Sequence, residues 1–210
     1  PDGHSLWPGF TNVPNEFIES YFPLRIERYE TIPDSGGAGL HRGGNGLSVA
    51  YRFLADGTIG IHDERWLTYP WGVLGGDTGM RSTKRIVRGD GSEQWLPAKA
   101  EGIKVKAGDI LYFNTWGGGG WGNPLQREPE LVRADVERRL VSAEGARRYG
   151  VVIAADGSVD SAATQALRSE MAKGRAAEPA LFNFGGSVEE LRSRCEAETH
   201  LPAPVAPTFR

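Results

Sequence analysis

The chain has 210 residues, 39% of them hydrophobic and 24% charged, with a formal net charge of −3; that length suits one large domain or two small ones with a packed core. The weak negative charge argues against non-specific binding to nucleic acid or an anionic membrane, and the single cysteine, Cys195, leaves neither an intrachain disulfide framework nor a Cys-rich zinc site. No apolar run approaches the ~20 residues of a membrane-spanning helix and no signal-peptide pattern opens the chain, so a cytoplasmic location is expected; the start at Pro1 without Met leads us to expect a processed product or a segment of something longer.

Trp7-Pro8, Val13-Pro14 and Phe22-Pro23 interrupt residues 1–23, because the residue before a proline is pushed out of the helical region. Residues 14–21 suit one short helix, with Phe17, Ile18 and Tyr21 on one side. Alternation from Leu24 and Ile26 predicts a strand. It ends at Pro33, and a glycine-dense loop to Gly46 follows, holding His41 and Arg42. Leu47–Leu54 reads as a second strand, with Asp56-Gly57 as a hairpin turn into a returning strand, Thr58–Asp63.

Residues 66–82 form a Trp/Pro/Gly-rich excursion. Arg85–Arg88 and Glu93–Leu96 read as a hairpin about Asp90-Gly91. Ile103–Lys106 and Ile110–Thr115 read as a further strand pair about Ala107-Gly108-Asp109. A second glycine loop, Gly117–Gly122, closes this part.

After Gly122 the pattern turns helical. Pro129–Leu140 places Leu131, Val132, Asp135 and Val136 at helical spacing, and Ser142 is an N-cap candidate for a short helix through Tyr149. Val151–Ala154 suits a brief strand. Asp160 or Ser161 caps a helix to about Lys173, and Ser187 caps another to Thr199. The expected class is α+β: an antiparallel β-rich region over about residues 22–122, then a small helical region. The corresponding domains are 1–122, carrying the glycine loops, and 123–210, ending in an extended Pro-rich tail.

Closely spaced glycines are costly to order, so two such loops ask for a reason. Gly36, Gly37, Gly39, Gly43 and Gly44 in the first loop, and Gly117, Gly118, Gly119, Gly120 and Gly122 in the second, read as structural glycines serving tight turns or close backbone approach. Gly117-x-Gly119-x-x-Gly122 formally matches a dinucleotide fingerprint. That fingerprint needs a helix N-terminus at the glycines, and Asn123-Pro124 interrupts there after strands that look antiparallel. No Gly-x-x-x-x-Gly-Lys-Ser/Thr loop exists. Arg42-Gly43-Gly44 is a single triplet in an acidic chain, unlike the repetitive basic segments that bind RNA.

The histidines, His4, His41, His62 and His200, lack the short local spacing of a zinc site. Cys195 sits on an amphipathic helix with no base or elbow beside it and reads as a buried small hydrophobe. Arg127, Arg133, Arg138, Arg139, Arg147 and Arg148 are mixed with acids and read as a solvated or subunit-contacting face. The loop aromatics Trp66, Tyr69, Trp71, Trp116 and Trp121 either cover the end of a β-sandwich or line a ligand or partner surface.

Several stretches together resemble the hydantoinase B / 5-oxoprolinase / acetone and acetophenone carboxylase family. They are Asp2-Gly-His4, Thr11-Asn12, Phe22-Pro-Leu-Arg-Ile-Glu-Arg-Tyr-Glu30, Pro33-Asp-Ser-Gly-Gly-Ala-Gly39, Arg42-Gly-Gly-Asn-Gly46, Tyr51-Arg-Phe53, Pro70-Trp-Gly72, Gly75-Gly76, Gly108-Asp109, Gly117-Gly-Gly-Gly-Trp-Gly-Asn-Pro-Leu125, Ala146-Arg-Arg-Tyr-Gly-Val-Val152 and Thr199-His-Leu-Pro-Ala-Pro204. The likeness runs almost end to end, but only to the C-terminal part of the B-type subunit.

The resemblance implies an ATP-dependent, two-component, hetero-oligomeric enzyme. ATP and Mg would sit on a hydantoinase A-like partner subunit. A divalent metal, Zn or Mn, would be bound by the N-terminal portion of the B-type subunit, with no cofactor on this chain. The implied reaction is ring opening of hydantoin, 5-oxoproline or a lactam. The alternatives are a subunit of an ATP- and bicarbonate-dependent ketone carboxylase and, in another class, a non-catalytic assembly module. No catalytic residue is assignable, and the isolated chain is expected to be inactive. Arg42, His41, Asp63, Arg65 and His4 are the candidate pocket or channel residues, because they stand on glycine-rich or aromatic loops and arginine's planar fork suits a carboxylate or phosphate.

Overall fold

Alternation in the strands decides the first layer. The computed structural model describes residues 13–176 and 178–205. Its strands are β1 (Leu24–Thr31), β2 (Leu47–Phe53), β3 (Gly57–His62), β4 (Gly72–Val73), β5 (Thr83–Val87), β6 (Glu93–Trp95), β7 (Lys99–Val105), β8 (Ile110–Asn114) and β9 (Phe182–Asn183). A five-stranded sheet runs in the order β1-β2-β8-β5-β6, every neighbouring pair antiparallel. Val49 pairs with Phe113, and Tyr51 and Ile86 both stand opposite Leu111, so these residues share one face.

A second layer covers that face. The ribbon β3–β7 places Ile61 and Val105 against Phe53, Ile86, Leu96 and Leu111, with Ile59, Ile103, Tyr51 and Phe113 around them. Ile86 is completely buried, a contribution of about 1.5–3 kcal/mol relative to exposure.

The expected hairpin about Asp90-Gly91 is present as β5–β6, with Gly91 in the left-handed region. The two other expected hairpins are not. Both edges of β2 are occupied by β1 and β8, so β3 cannot return beside it and pairs with β7 instead. The turns at Asp56-Gly57 and Ala107-Gly108-Asp109 therefore carry the chain between layers. They are tied together: the Ala107 amide donates to Asp56 Oδ1 at 2.9 Å, and the Phe53 amide donates to the Asp109 carbonyl at 2.9 Å.

The helices are α1 (Asn15–Tyr21), α2 (Pro129–Glu137), α3 (Ser161–Lys173) and α4 (Val188–Thr199). Their starts follow local chemistry. Asp160 Oδ1 accepts from the Ala163 amide at 2.9 Å at the head of α3. Ser187 and Glu190 form a reciprocal capping box at the head of α4. Ser142 Oγ accepts from Gly145 at 2.8 Å, but the segment behind it is a short 3-10 turn, Gly145–Tyr149, ended by Gly150 at φ 65°. The brief strand expected at Val151–Ala154 reduces to one bridge, Ile153 with Val159.

A second core joins Ala38 to Val132, Val141, Ala146, Tyr149 and Val151. Here α2 and the turn after it grip the first glycine loop. A third joins Trp66 to Cys195 and Ala203, seating α4 on the aromatic excursion. β9 pairs with β4, so the C-terminal region also supplies a strand to that excursion. Among the described residues no helix is long and apolar enough to cross a membrane.

Candidate functional site

Three glycine-rich segments, 34–46, 70–80 and 115–122, lie side by side and bond backbone to backbone. The Gly37 amide donates to the Gly118 carbonyl at 2.8 Å and the Gly118 amide to Gly44 at 2.8 Å. Asp77 joins the first and third segments: its amide donates to Ala38 at 2.7 Å and its carbonyl accepts from Gly120 at 2.9 Å. His41 and Trp121 exchange both backbone bonds at 3.0 Å.

Glycine is required here by close approach. A methyl group on Gly119 would lie 1.8 Å from the Trp71 carbonyl oxygen, and one on Gly43 would lie 2.1 Å from the Gly118 carbonyl oxygen. Neither residue has a positive φ. The two glycine loops thus face each other. An anion cradle needs free N–H groups, yet the amides of Gly36, Gly37, Gly43, Gly46, Gly117, Gly118, Gly120 and Gly122 are all engaged within the protein.

Arg42 belongs to a charged node under this stack. Its Nη1 donates to the Gly43 carbonyl at 2.8 Å, and its Nε lies 3.5 Å from Asp135 Oδ2. Arg127 Nη2 donates to the same Asp135 oxygen at 2.8 Å. The side chains of Arg42 and Asp135 are 11% and 9% exposed. Asn45 bridges the parts: its Oδ1 accepts from Gly36 at 3.0 Å and its Nδ2 donates to Leu140 at 2.7 Å. Arg148 Nη1 donates to the carbonyl of Asp34 at 2.9 Å. Arg127 and Arg148 therefore bond within the chain, where their sequence context suggests a solvated or subunit-contacting face. The carboxylate of α2 and the free carbonyls of the glycine loop draw them in. Burial pushes the neighbouring Tyr149 hydroxyl up to about 12.

Asp63 lies elsewhere, at the end of the sandwich. It pairs with Lys84, the two side chains being 3% and 0% exposed. Lys84 Nζ also reaches Ser82 Oγ at 3.2 Å and lies 5.3 Å from the centre of the Phe113 ring. Burial pulls the Lys84 ammonium below its usual range, with Asp63 opposing. Beside the pair is a cleft of about 380 Å³ lined by His62, Asp63, Glu64, Lys99, Phe113, Thr115 and Trp116. Sequence reading missed Lys84. Its signal was phase: in β5 it stands two residues before the inward-facing Ile86 and so on the same face.

The remaining candidates stand apart. Arg65 has a left-handed backbone, φ 56°, and its guanidinium lies 4.4 Å from the centre of the Trp71 ring. His41 is exposed and its ring lies 5.3 Å from that of Trp121. His4 falls outside the described residues. Among the described residues Arg42 contacts Asp135 and Gly43, Asp63 contacts Lys84, and Arg65 contacts Trp71. Among the described residues no three of His, Cys, Asp and Glu stand close enough to hold a metal ion.

Residues 1–124 match the family model described as hydantoinase B/oxoprolinase. The chain belongs to the hydantoinase B/oxoprolinase family. One relative is the caprolactamase subunit beta of Pseudomonas jessenii, 37% identical over 161 residues that make up 73% of this chain and 27% of that protein. The crystal structure of ATP-dependent caprolactamase from the same organism matches with a TM-score of 0.65 and 33% identity, over 74% of this chain and 28% of that one. A nucleotide-free acetone carboxylase structure matches with a TM-score of 0.64 over 89% of this chain and 29% of that one. At 23% identity it shows a common fold. This hydantoinase B family chain spans under a third of the length of each of these relatives.

Proposed function

We propose that this chain is the C-terminal part of the B-type subunit of an ATP-dependent, two-component enzyme that opens cyclic amides. The observation that carries the reading is the 37% identity to a caprolactamase subunit beta. The glycine stack suits a framework role. Backbones locked carbonyl to amide form a stiff wall, and a stiff wall helps keep water from an activated intermediate. ATP and Mg belong to a hydantoinase A-like partner in this reading, the divalent metal to the N-terminal portion of the B-type subunit, and the complex to the cytoplasm.

The test is turnover by the complete two-component complex. Hydantoin, 5-oxoproline and caprolactam are supplied with ATP, and acetone and acetophenone are supplied with ATP and bicarbonate. ATP-dependent ring opening by the complex, with no ATP or amide hydrolysis by this chain alone, is the expected result. Bicarbonate-dependent loss of a ketone with no ring opening would instead identify a carboxylase.

A further inference from the structure

The short β4–β9 pairing gathers aromatic residues from two distant stretches of the chain, around Trp71 and around Phe182, onto one surface. The ring centroids of Trp71 and Phe182 are 6.2 Å apart, of Trp71 and Phe184 5.9 Å, and of Phe182 and Phe184 5.9 Å. Val188, which lines the same surface as Trp71 and Phe184, extends this plate. Trp71, Phe182, Phe184 and Val188 are between 40% and 63% exposed. Beside the plate runs a groove of about 430 Å³, with Tyr69 and Leu191 in its walls and no acidic or basic residue in its lining.

Contiguous apolar surface of this kind marks an interaction site on a soluble protein. Its chemistry selects the type of partner. Interfaces that form once and stay closed are apolar at the centre, whereas exchangeable ones are about as polar as ordinary surface. An apolar groove beside aromatic rings is also the form that receives a single anchoring side chain. The fold matched here makes up 28% of the caprolactamase chain, so most of that polypeptide lies outside the shared region.

We infer that the Trp71–Phe182–Phe184 plate and its groove are the seat of the N-terminal portion of the B-type subunit, with one apolar side chain of that portion anchored in the groove. This rests on the reading of the chain as the C-terminal part of such a subunit. The test places the photo-cross-linker benzoylphenylalanine at position 182 of the complete B-type subunit, held in its complex with the A-type partner, and identifies the cross-linked peptide by mass spectrometry. A peptide from the N-terminal portion of the same subunit is the expected result. A peptide from the A-type partner, from a second, isotope-labelled copy, or from this chain's own residues overturns the inference, as does the absence of any cross-link. Turnover of the same complex is recorded separately, so an inactive complex with the expected cross-link counts against the proposed reaction alone.

Discussion

Gly37 and Gly118 come from loops at opposite ends of the β-rich region, and a 2.8 Å bond from the Gly37 amide to the Gly118 carbonyl locks them together. The contact closes because Gly37 and the neighbouring Gly36, Gly117 and Gly119 carry no side chain. A Cβ at Gly37 would lie 2.1 Å from the Asp77 carbonyl oxygen.

Gly119→Ala is expected to destabilise the protein by at least about 3 kcal/mol, the upper range of overpacking costs, because the obstructing atom is a backbone carbonyl that cannot rotate away. Gly89, with nothing within 4 Å of its would-be Cβ, is the control. Gly89→Ala is expected to be neutral or to stabilise by up to about 1 kcal/mol. Denaturant unfolding midpoints of the two variants check the contrast.

Asp63→Ala strands the buried Lys84 cation and is expected to cost about 3–5 kcal/mol. The double change Asp63→Leu with Lys84→Met removes both charges and is expected to recover most of that loss. If the double variant were as unstable as the single one in urea melts, the pair would be holding something other than its own charge balance.

Asp77 sits within the glycine stack, and burial raises its carboxyl above the ordinary 3.8 despite Arg148 and Arg175 nearby. Between 3.8 and the raised value the folded state holds more protons than the unfolded one, so stability falls as pH rises through that window. Asp77→Asn imitates the protonated form. It is expected to raise the melting temperature at neutral pH, with the gain vanishing below the ordinary carboxylate value. Calorimetric scans across that range read the trend.

Tyr149 moves stability at the other end of the scale. Its hydroxyl is pushed from 10.0 up to about 12. Its contribution is therefore fully present below pH 10 and lost as pH rises towards the folded value. The full loss corresponds to about 3 kcal/mol. Tyr149→Phe is expected to remove this alkaline step from the unfolding profile.

Arg42→Ala is expected to lower stability by about 1–3 kcal/mol, since the bond to the Gly43 carbonyl is lost while Arg127 still balances Asp135. In the complete complex the expected change in KM is small. A large rise in KM with unchanged stability would return Arg42 to the role of a pocket residue.

Local chemistry was legible without coordinates. The α+β class, a helix cap at Asp160 or Ser161, the cap at Ser187, the Asp90-Gly91 hairpin and the burial of Cys195 all follow from neighbours a few residues away, through strand alternation, helical spacing and capping. The family likeness was likewise readable from the glycine loops. Tertiary structure alone decided the rest. Whether β3 returns beside β2 depended on β8 already holding that edge. That Arg42, Arg127 and Arg148 bond within the chain depended on Asp135 and on the open carbonyls of a distant loop. The reason is physical: period and capping are set by the chain next to a residue, whereas burial, charge pairing and the need for glycine are set by atoms that arrive from far along it.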